Sequence, residues 1–394
     1  MAVLLPNGID IDDTPLAIKG RALLLSSGYD GGLYTQLVAG GCFVDQIKLS
    51  PLLAAEQALL AHVPKEGTTS IVAVGDTSIL DMGKVLAAHY SLPLYVLPTG
   101  YVGTAFTRWA VTYGDKIKLW QAPPYEVRLL PSLLSHATRI DAAETYAYAV
   151  ECYMQGVAVL TSDWLGGKEE NGERLTTALA ALDEVLTAVS GYGAETAKTV
   201  WEGLTAFCRH LPDEISEGHL YSFLISLYKN GQTVYNKYRF AAALSMGEAL
   251  RLAPDVPDLL FPCDQVEALR DMSGASPIRW KEDYAVKQHV WQDYRADVEA
   301  LLDHLGDYAR RWRRIVGDCG YGYYQDLKAS DLTRCLRQTC HFTPRYTALK
   351  HLYRQGWLDV ADKGERYGLE QSQTVFDGHG RDGVLGQTGD PRRV

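Results

Sequence analysis

In the first third of the chain, apolar positions fall in short bunches separated by polar and glycine-rich turns. Arg21–Ser26 (RALLLS) reads as a strand, Gly28–Gly32 as a turn, and the residues up to Val38 as a helix. Cys42–Lys48 reads as a second strand, and Leu52–His62 has helical composition. Ile71–Val74, Ser78–His89 and Leu94–Leu97 then form a strand–helix–strand unit of about 30 residues, the usual size of a βαβ unit. This alternation predicts an N-terminal doubly wound, Rossmann-like α/β domain. Shorter strands are predicted over Ala110–Tyr113, Leu119–Gln121 and Glu126–Leu130.

Beyond Ser135 the period changes to that of helices. They are predicted over Ile140–Leu160, Gly172–Val189, Ala194–His210, Leu220–Val234, Ala241–Leu252, Asp293–Val316 and Arg345–Gln355. The shift places a boundary near Pro131 and divides the chain into an α/β nucleotide-binding domain (1–133) and an α-helical domain (134–368). The active-site cleft is expected between them. Residues 369–394, rich in Gly, Asp and Gln, read as a disordered tail.

Composition narrows the function classes. With 394 residues, 47% of them hydrophobic, the chain can fill large cores. A net charge of −10 argues against non-specific nucleic-acid binding, which needs a basic face. The basic cluster Arg310, Arg311, Arg313 and Arg314 around Trp312 reads as a solvated or internally paired helix face. Seven scattered cysteines suit a reducing compartment better than a disulfide framework, and Cys335, Cys340 and His341 lack a second ligand pair at zinc-finger spacing. No run approaches the ~18 apolar residues of a membrane span, and the N-terminus lacks the pattern of a signal peptide. A cytoplasmic homodimer acting on a small molecule is expected, without nucleic-acid or membrane partners.

The densest chemistry lies in Ile71–Lys84, IVAVGDTSILDMGK. A strand ending in Gly75, Asp76, Thr77 and Ser78 and leading into a helix would aim backbone N–H groups at a pyrophosphate. Asp81 and Lys84, three apart, share one side of that helix and join the turn as candidate cofactor-binding residues. Thr99 and Thr104 place hydroxyls at the end of the next strand, where open α/β sheets bind ligands.

These blocks resemble the superfamily that unites dehydroquinate synthase and other sugar-phosphate cyclases with glycerol dehydrogenases and iron-dependent alcohol dehydrogenases. The resemblance spans roughly residues 20–255 and implies NAD or NADP held in an interdomain cleft. Ser27 or Asp30, after the first strand, is implied to read the ribose 2′ group. The chain departs from the pattern at Asp76-Thr77, where the family usually carries two glycines.

The second half of the pattern departs further. Ala143-Glu144 followed by Tyr148 is similar to a cyclase segment whose glutamate binds the catalytic metal, with Ala147 where cyclases carry a lysine. The spacing from Glu144 to Glu151 is also similar to that of the alcohol dehydrogenase branch. In Tyr228–Ala249, Asn230, Gly231, Thr233, Gly247, Glu248 and Ala249 survive, but the metal-binding histidines do not. One becomes Gln232 or Lys229, depending on the branch, and the other Met246. A zinc or iron site needs about three strong ligands, so no catalytic metal is expected. Glu144, Lys229, Gln232, Tyr148 and Glu248 are the candidate catalytic residues, with Lys229 the cation expected to stabilise a developing oxyanion. Lys116, Lys118, Asn236, Lys237 and Arg239 are the candidate anion site for substrate.

Three functions follow from the resemblance. The leading expectation is a metal-independent, dehydroquinate-synthase-like lyase of specialised metabolism, acting on a polyhydroxylated or cyclic substrate. The alternatives are an NAD(P)-dependent oxidoreductase of the glycerol dehydrogenase kind and a repurposed non-redox or non-catalytic scaffold that uses the old cleft.

Overall fold

The computed structural model describes residues 9–11, 13–49, 64–99, 110–113, 116–119, 125–134, 139–167, 172–208, 221, 225, 239–251, 284–317, 329–339 and 347–354. Its strands are β1 (Ile9–Ile11), β2 (Arg21–Ser26), β3 (Phe43–Lys48), β4 (Thr68–Gly75), β5 (Leu94–Pro98), β6 (Ala110–Tyr113), β7 (Lys116–Leu119) and β8 (Glu126–Leu129). The helices of the sheet region are α1 (Leu33–Ala39), α2 (Thr77–Tyr90) and α3 (Pro131–Leu134). Those that follow are α4 (Arg139–Leu165), α5 (Gly172–Ala188), α6 (Ala194–Cys208), α7 (Arg239–Arg251), α8 (Tyr284–Leu302), α9 (Leu305–Val316), α10 (Ala329–Thr339) and α11 (Ala348–Arg354).

Six strands form one sheet in the order β1-β8-β5-β4-β2-β3, every neighbouring pair parallel. A parallel sheet needs both faces covered, and the alternation of side chains shows how this chain does it. Leu23, Leu25, Ile71, Ala73 and Val96 join the core on the α2 side, with Ile79, Val85 and Leu86. Their neighbours Ala22, Leu24, Val72, Val74 and Leu97 join a second core with Leu33 and Leu37 of α1 and Leu133 of α3. The helix α2 lies close on β4: a Cβ added at Gly83 would sit 2.7 Å from the Ala73 Cβ. β6 and β7 make a separate antiparallel pair, Ala110 opposite Leu119, with β6 packed against α2.

The α2-side core runs without a break into the helical region, whose hub is α4. Its side chains are buried on every side from Ala142 to Ala143 and again from Thr145 to Ser162, so α4 is a core helix rather than an amphipathic surface one. Helices α5, α6, α7, α8, α9 and α11 all pack on it. Lys287 Nζ donates to the Leu165 carbonyl (2.5 Å) and places a cation at its C-terminus, where the helix dipole favours one. Ser162 Oγ accepts the Ala348 N–H (3.1 Å) at the start of α11.

The expected two-part architecture, parallel α/β followed by helices, is the one observed, with differences in detail. The single helix expected over Asp293–Val316 is two: α8 ends at Leu302, and the Asp307 and Tyr308 N–H groups bond back to the His304 carbonyl to start α9. That break lets Leu305, Tyr308, Trp312 and Ile315 enter the core. The strand expected at Leu119–Gln121 lies at Lys116–Leu119, and α10 was not foreseen. The helices expected at Leu52–His62 and most of Leu220–Val234, and the tail 369–394, lie outside the described residues.

The basic cluster on α9 is used internally. Arg310 pairs with Asp307, Arg311 Nη1 donates to the Val189 carbonyl (2.8 Å) just beyond α5, and Trp312 stacks on Phe240 with ring centroids 4.4 Å apart. Among the described residues no helix is long and apolar enough to cross a membrane.

One group of buried phenols gives the fold a pH signature. Tyr308 donates to Asp183 Oδ1 (2.5 Å), Tyr153 donates to the Leu301 carbonyl (2.8 Å), and the two rings meet edge to face at 5.4 Å. Burial, with the Asp183 carboxylate adding to it, pushes both phenols well above their ordinary range. A raised native pKa means that stability is fully present below about pH 10, the unfolded phenol value, and is lost as pH rises above it. Alkaline titration should therefore show exposed tyrosines ionising first. The buried ones should follow in one step coincident with loss of helical circular dichroism, and the Tyr308→Phe variant should shrink that step. Smooth ionisation of all tyrosines before unfolding would contradict this.

Candidate functional site

The strand order creates a crevice. From β2 the chain moves outward to β3, then returns to place β4 on the other side of β2. The connection after β2 runs into α1 on one face, and that after β4 into α2 on the other. Loops leaving opposite faces at neighbouring carboxyl ends form the crevice where open α/β sheets bind ligands.

Its β2 side is an ordered loop. Ser26 Oγ accepts from the Gly28 N–H and from Gln46 Nε2, each at 3.4 Å. Asp30 accepts the Gly32 N–H (2.9 Å) through Oδ1 and Gln46 Nε2 (3.4 Å) through Oδ2. The loop needs its glycines: Gly31 has φ +61°, and a Cβ there would meet Leu133 of α3. Asp30 is thus a half-exposed carboxylate held in orientation at the switch point.

The β4 side holds the predicted turn. Gly75 ends the strand, its carbonyl takes the Thr99 N–H (3.1 Å), and a Cβ on it would sit 2.8 Å from the Ile79 Cβ. Thr99 thereby lies beside the turn. Asp76 is the N-cap of α2, accepting the Ile79 N–H at 3.2 Å. Its exposed carboxylate takes a backbone donor that a phosphate would otherwise use. Thr77 and Ser78 open the helix. Thr104 lies outside the described residues.

Asp81 and Lys84 correct the expectation that they face a cofactor. They do share a side of α2, but they face the interior: Lys84 Nζ lies 3.3 Å from Asp81 Oδ1, with side chains 0% and 2% exposed. Desolvation pushes the Lys84 ammonium below its ordinary range, and the Asp81 carboxylate opposes that shift. They form a core ion pair.

The second candidate cluster lies between α4 and α7. Glu144, Tyr148 and Glu151 sit four and then three residues apart, on one face of α4. Glu144 is half-buried, whereas Tyr148 and Glu151 are buried. Arg239 opens α7, its Nη1 2.9 Å from Glu151 Oε2 and its Cζ 4.9 Å from the Tyr148 ring centre. Arg239 is therefore no open substrate cation, as expected from sequence, but a guanidinium buried to 2% exposure. The cluster's key partner, Glu151, was seen in the sequence only as a spacing. What would have marked it is the stripe Glu144–Tyr148–Glu151 facing an arginine at a helix start. Met246, seven residues after Arg239, is fully buried. Gly247 beside it lies where a Cβ would sit 2.5 Å from Leu305 Cδ1.

Of the other candidates, Glu248 lies on α7, and Lys116 and Lys118 lie on β7. Lys229, Gln232, Asn236 and Lys237 lie outside the described residues. The donor set here does not suit the divalent ion that the resemblance implies. A carboxylate, a phenol and a thioether, with a guanidinium ion-paired to the next carboxylate, make a poor zinc or iron site. Among the described residues, no three His, Cys, Asp or Glu side chains gather closely enough to hold a metal.

No family model and no curated protein matches the sequence. Solved structures do match the fold. An iron-containing alcohol dehydrogenase from Corynebacterium glutamicum superposes with a TM-score of 0.56 at 13% identity, covering 93% of this chain and 97% of that one. A probable glycerol dehydrogenase from Sinorhizobium meliloti gives 0.54 at 13% identity, covering 91% and 97%. The maleylacetate reductase of a Rhizobium strain gives 0.52 at 15% identity, covering 88% and 90%. These are oxidoreductases by name, which overturns the expectation of a cyclase-type lyase. Over nearly its whole length, the chain has the fold of the glycerol and iron-containing alcohol dehydrogenases.

Proposed function

We propose that this protein is a nicotinamide-dependent oxidoreductase that interconverts an alcohol and a carbonyl compound. The observation that carries the reading is the crevice between β2 and β4, with Asp30 fixed at its rim. It is supported by a fold shared with the named dehydrogenases along about nine-tenths of both chains. The crevice fits the ribose half of a dinucleotide well, because an oriented carboxylate accepts hydrogen bonds from ribose hydroxyls. It fits the pyrophosphate less closely, since Asp76 places a negative charge at the α2 N-terminus. When bound, the cofactor would supply hydride chemistry. The chain's own part is to hold the ribose at Asp30, to keep the turn tight at Gly75, and to exclude water with the packed helices behind α2.

Titration of the purified chain with NADH and NADPH, followed by nucleotide fluorescence, tests this. Saturable binding is expected, with NADH favoured because Asp30 would repel a 2′-phosphate. Asp30→Ala should weaken NADH binding about tenfold, equivalent to ~1.4 kcal/mol. No binding of either nucleotide at millimolar concentration would leave the scaffold reading, with Asp76 closing the site.

A further inference from the structure

We propose that Arg239 is the built-in cation of the helical site, occupying by its guanidinium the place where the resemblance implies a divalent metal, and that the site takes no such ion. The helix geometry carries this. Glu144, at the implied metal-binding position, stands one turn before Tyr148 and two before Glu151 on α4. Arg239 spans the two later residues, ion-paired with Glu151 Oε2 at 2.9 Å and lying over the Tyr148 ring at 4.9 Å. Met246, at the other implied ligand position, lies on the same face of α7 as Arg239.

A divalent ion brought to this face would meet a permanent positive charge in a medium that screens poorly. It would also have to displace that charge from Glu151 to gain a second carboxylate. A guanidinium never deprotonates at working pH and cannot be removed by a chelator. The site thus holds a fixed guanidinium, its charge balanced by Glu151, where the resemblance implies an exchangeable ion. The exclusion of metal rests on this pairing alone and not on the oxidoreductase reading.

The test is calorimetric titration of chelator-treated full-length protein with Zn²⁺ and Co²⁺, with metal content measured on the protein as purified. No stoichiometric ion is expected in the wild type or in Arg239→Lys, which keeps the charge. Arg239→Met, which takes the guanidinium away from Glu151 on the face that also carries Glu144, should gain Co²⁺ affinity by about tenfold or more, with a visible cobalt absorption band. One Zn²⁺ or Co²⁺ per wild-type chain, lost in Glu144→Gln, would overturn the proposal. So would an Arg239→Met protein that folds and gains no affinity. The wild-type and Glu144→Gln measurements change no fully buried side chain and can be read even if Arg239→Met fails to fold. Nucleotide fluorescence on the same samples reads the oxidoreductase assignment separately: failure to bind NADH would overturn that assignment and leave the metal result standing.

Discussion

Glu151→Ala is expected to lower the free energy of unfolding by about 3–5 kcal/mol, because breaking a buried ion pair strands a charge in the interior. The side chains of Arg239 and Glu151 are 3% and 2% exposed, so water cannot readily replace the missing carboxylate. The lost charge lies on the face of α4 that α7 packs against, and α4 is the helix on which the region is built. Urea unfolding should show a lower midpoint with an unchanged slope, since the surface exposed on unfolding is the same. The double variant Glu151→Met/Arg239→Met should recover most of the loss, because an apolar pair of similar volume carries no desolvation cost. Its stability then separates the two roles of the pair. Recovery of stability with loss of nicotinamide-linked turnover would show that the charge is retained for the site, not for the fold. A Glu151→Ala protein as stable as wild type would mean that the pair is solvated in solution and would remove the basis for a fixed cation.

Lys84→Met should cost a similar amount, about 3–5 kcal/mol, for the same physical reason in another core. It leaves the Asp81 carboxylate without that cation beneath α2, on a helix that approaches β4 closely at Gly83. The discriminating part is the ligand: NADH affinity of the folded variant should stay within about twofold of wild type, less than 0.5 kcal/mol. A cofactor-contacting lysine would behave the other way, losing affinity with little change in stability. Asp81→Asn/Lys84→Met, which removes both charges, should restore much of the stability. These outcomes decide between an interior pair and a phosphate ligand, the role that the Asp-x-x-Lys spacing suggested.

The two ion pairs show why sequence legibility stopped where it did. Spacing correctly put Asp81 and Lys84 on one side of a helix, because i and i+3 positions always share a side. It could not tell which side faces the core, since α2 is apolar nearly all round, from Ile79 to Ala87. The same applies to α4, where Glu144 and Tyr148 were legible as candidates and Glu151 only as a spacing. Their partner comes from α7, some ninety residues later, and no local pattern reports such a contact. Asp76 is a different case. Its negative charge beside a phosphate-facing turn was legible, while its use as an N-cap depended on where the helix began.

Two patterns carried most of what could be read from the chain alone. Short continuous apolar runs in β2, β4 and β5 set a parallel sheet covered on both faces, and the change to helical spacing set the region after it. Both are local properties, fixed by how successive side chains point from a strand or a helix. The functional geometry depends on nonlocal ones. The crevice exists because β4 returns to the far side of β2, and Asp30 matters because Gln46 of β3 reaches it. Arg239 became a buried partner of Glu151, rather than an open anion site, only when α7 packed on α4. Burial and pairing of charge are settled by which surfaces meet, and the order of residues along one segment does not contain that information.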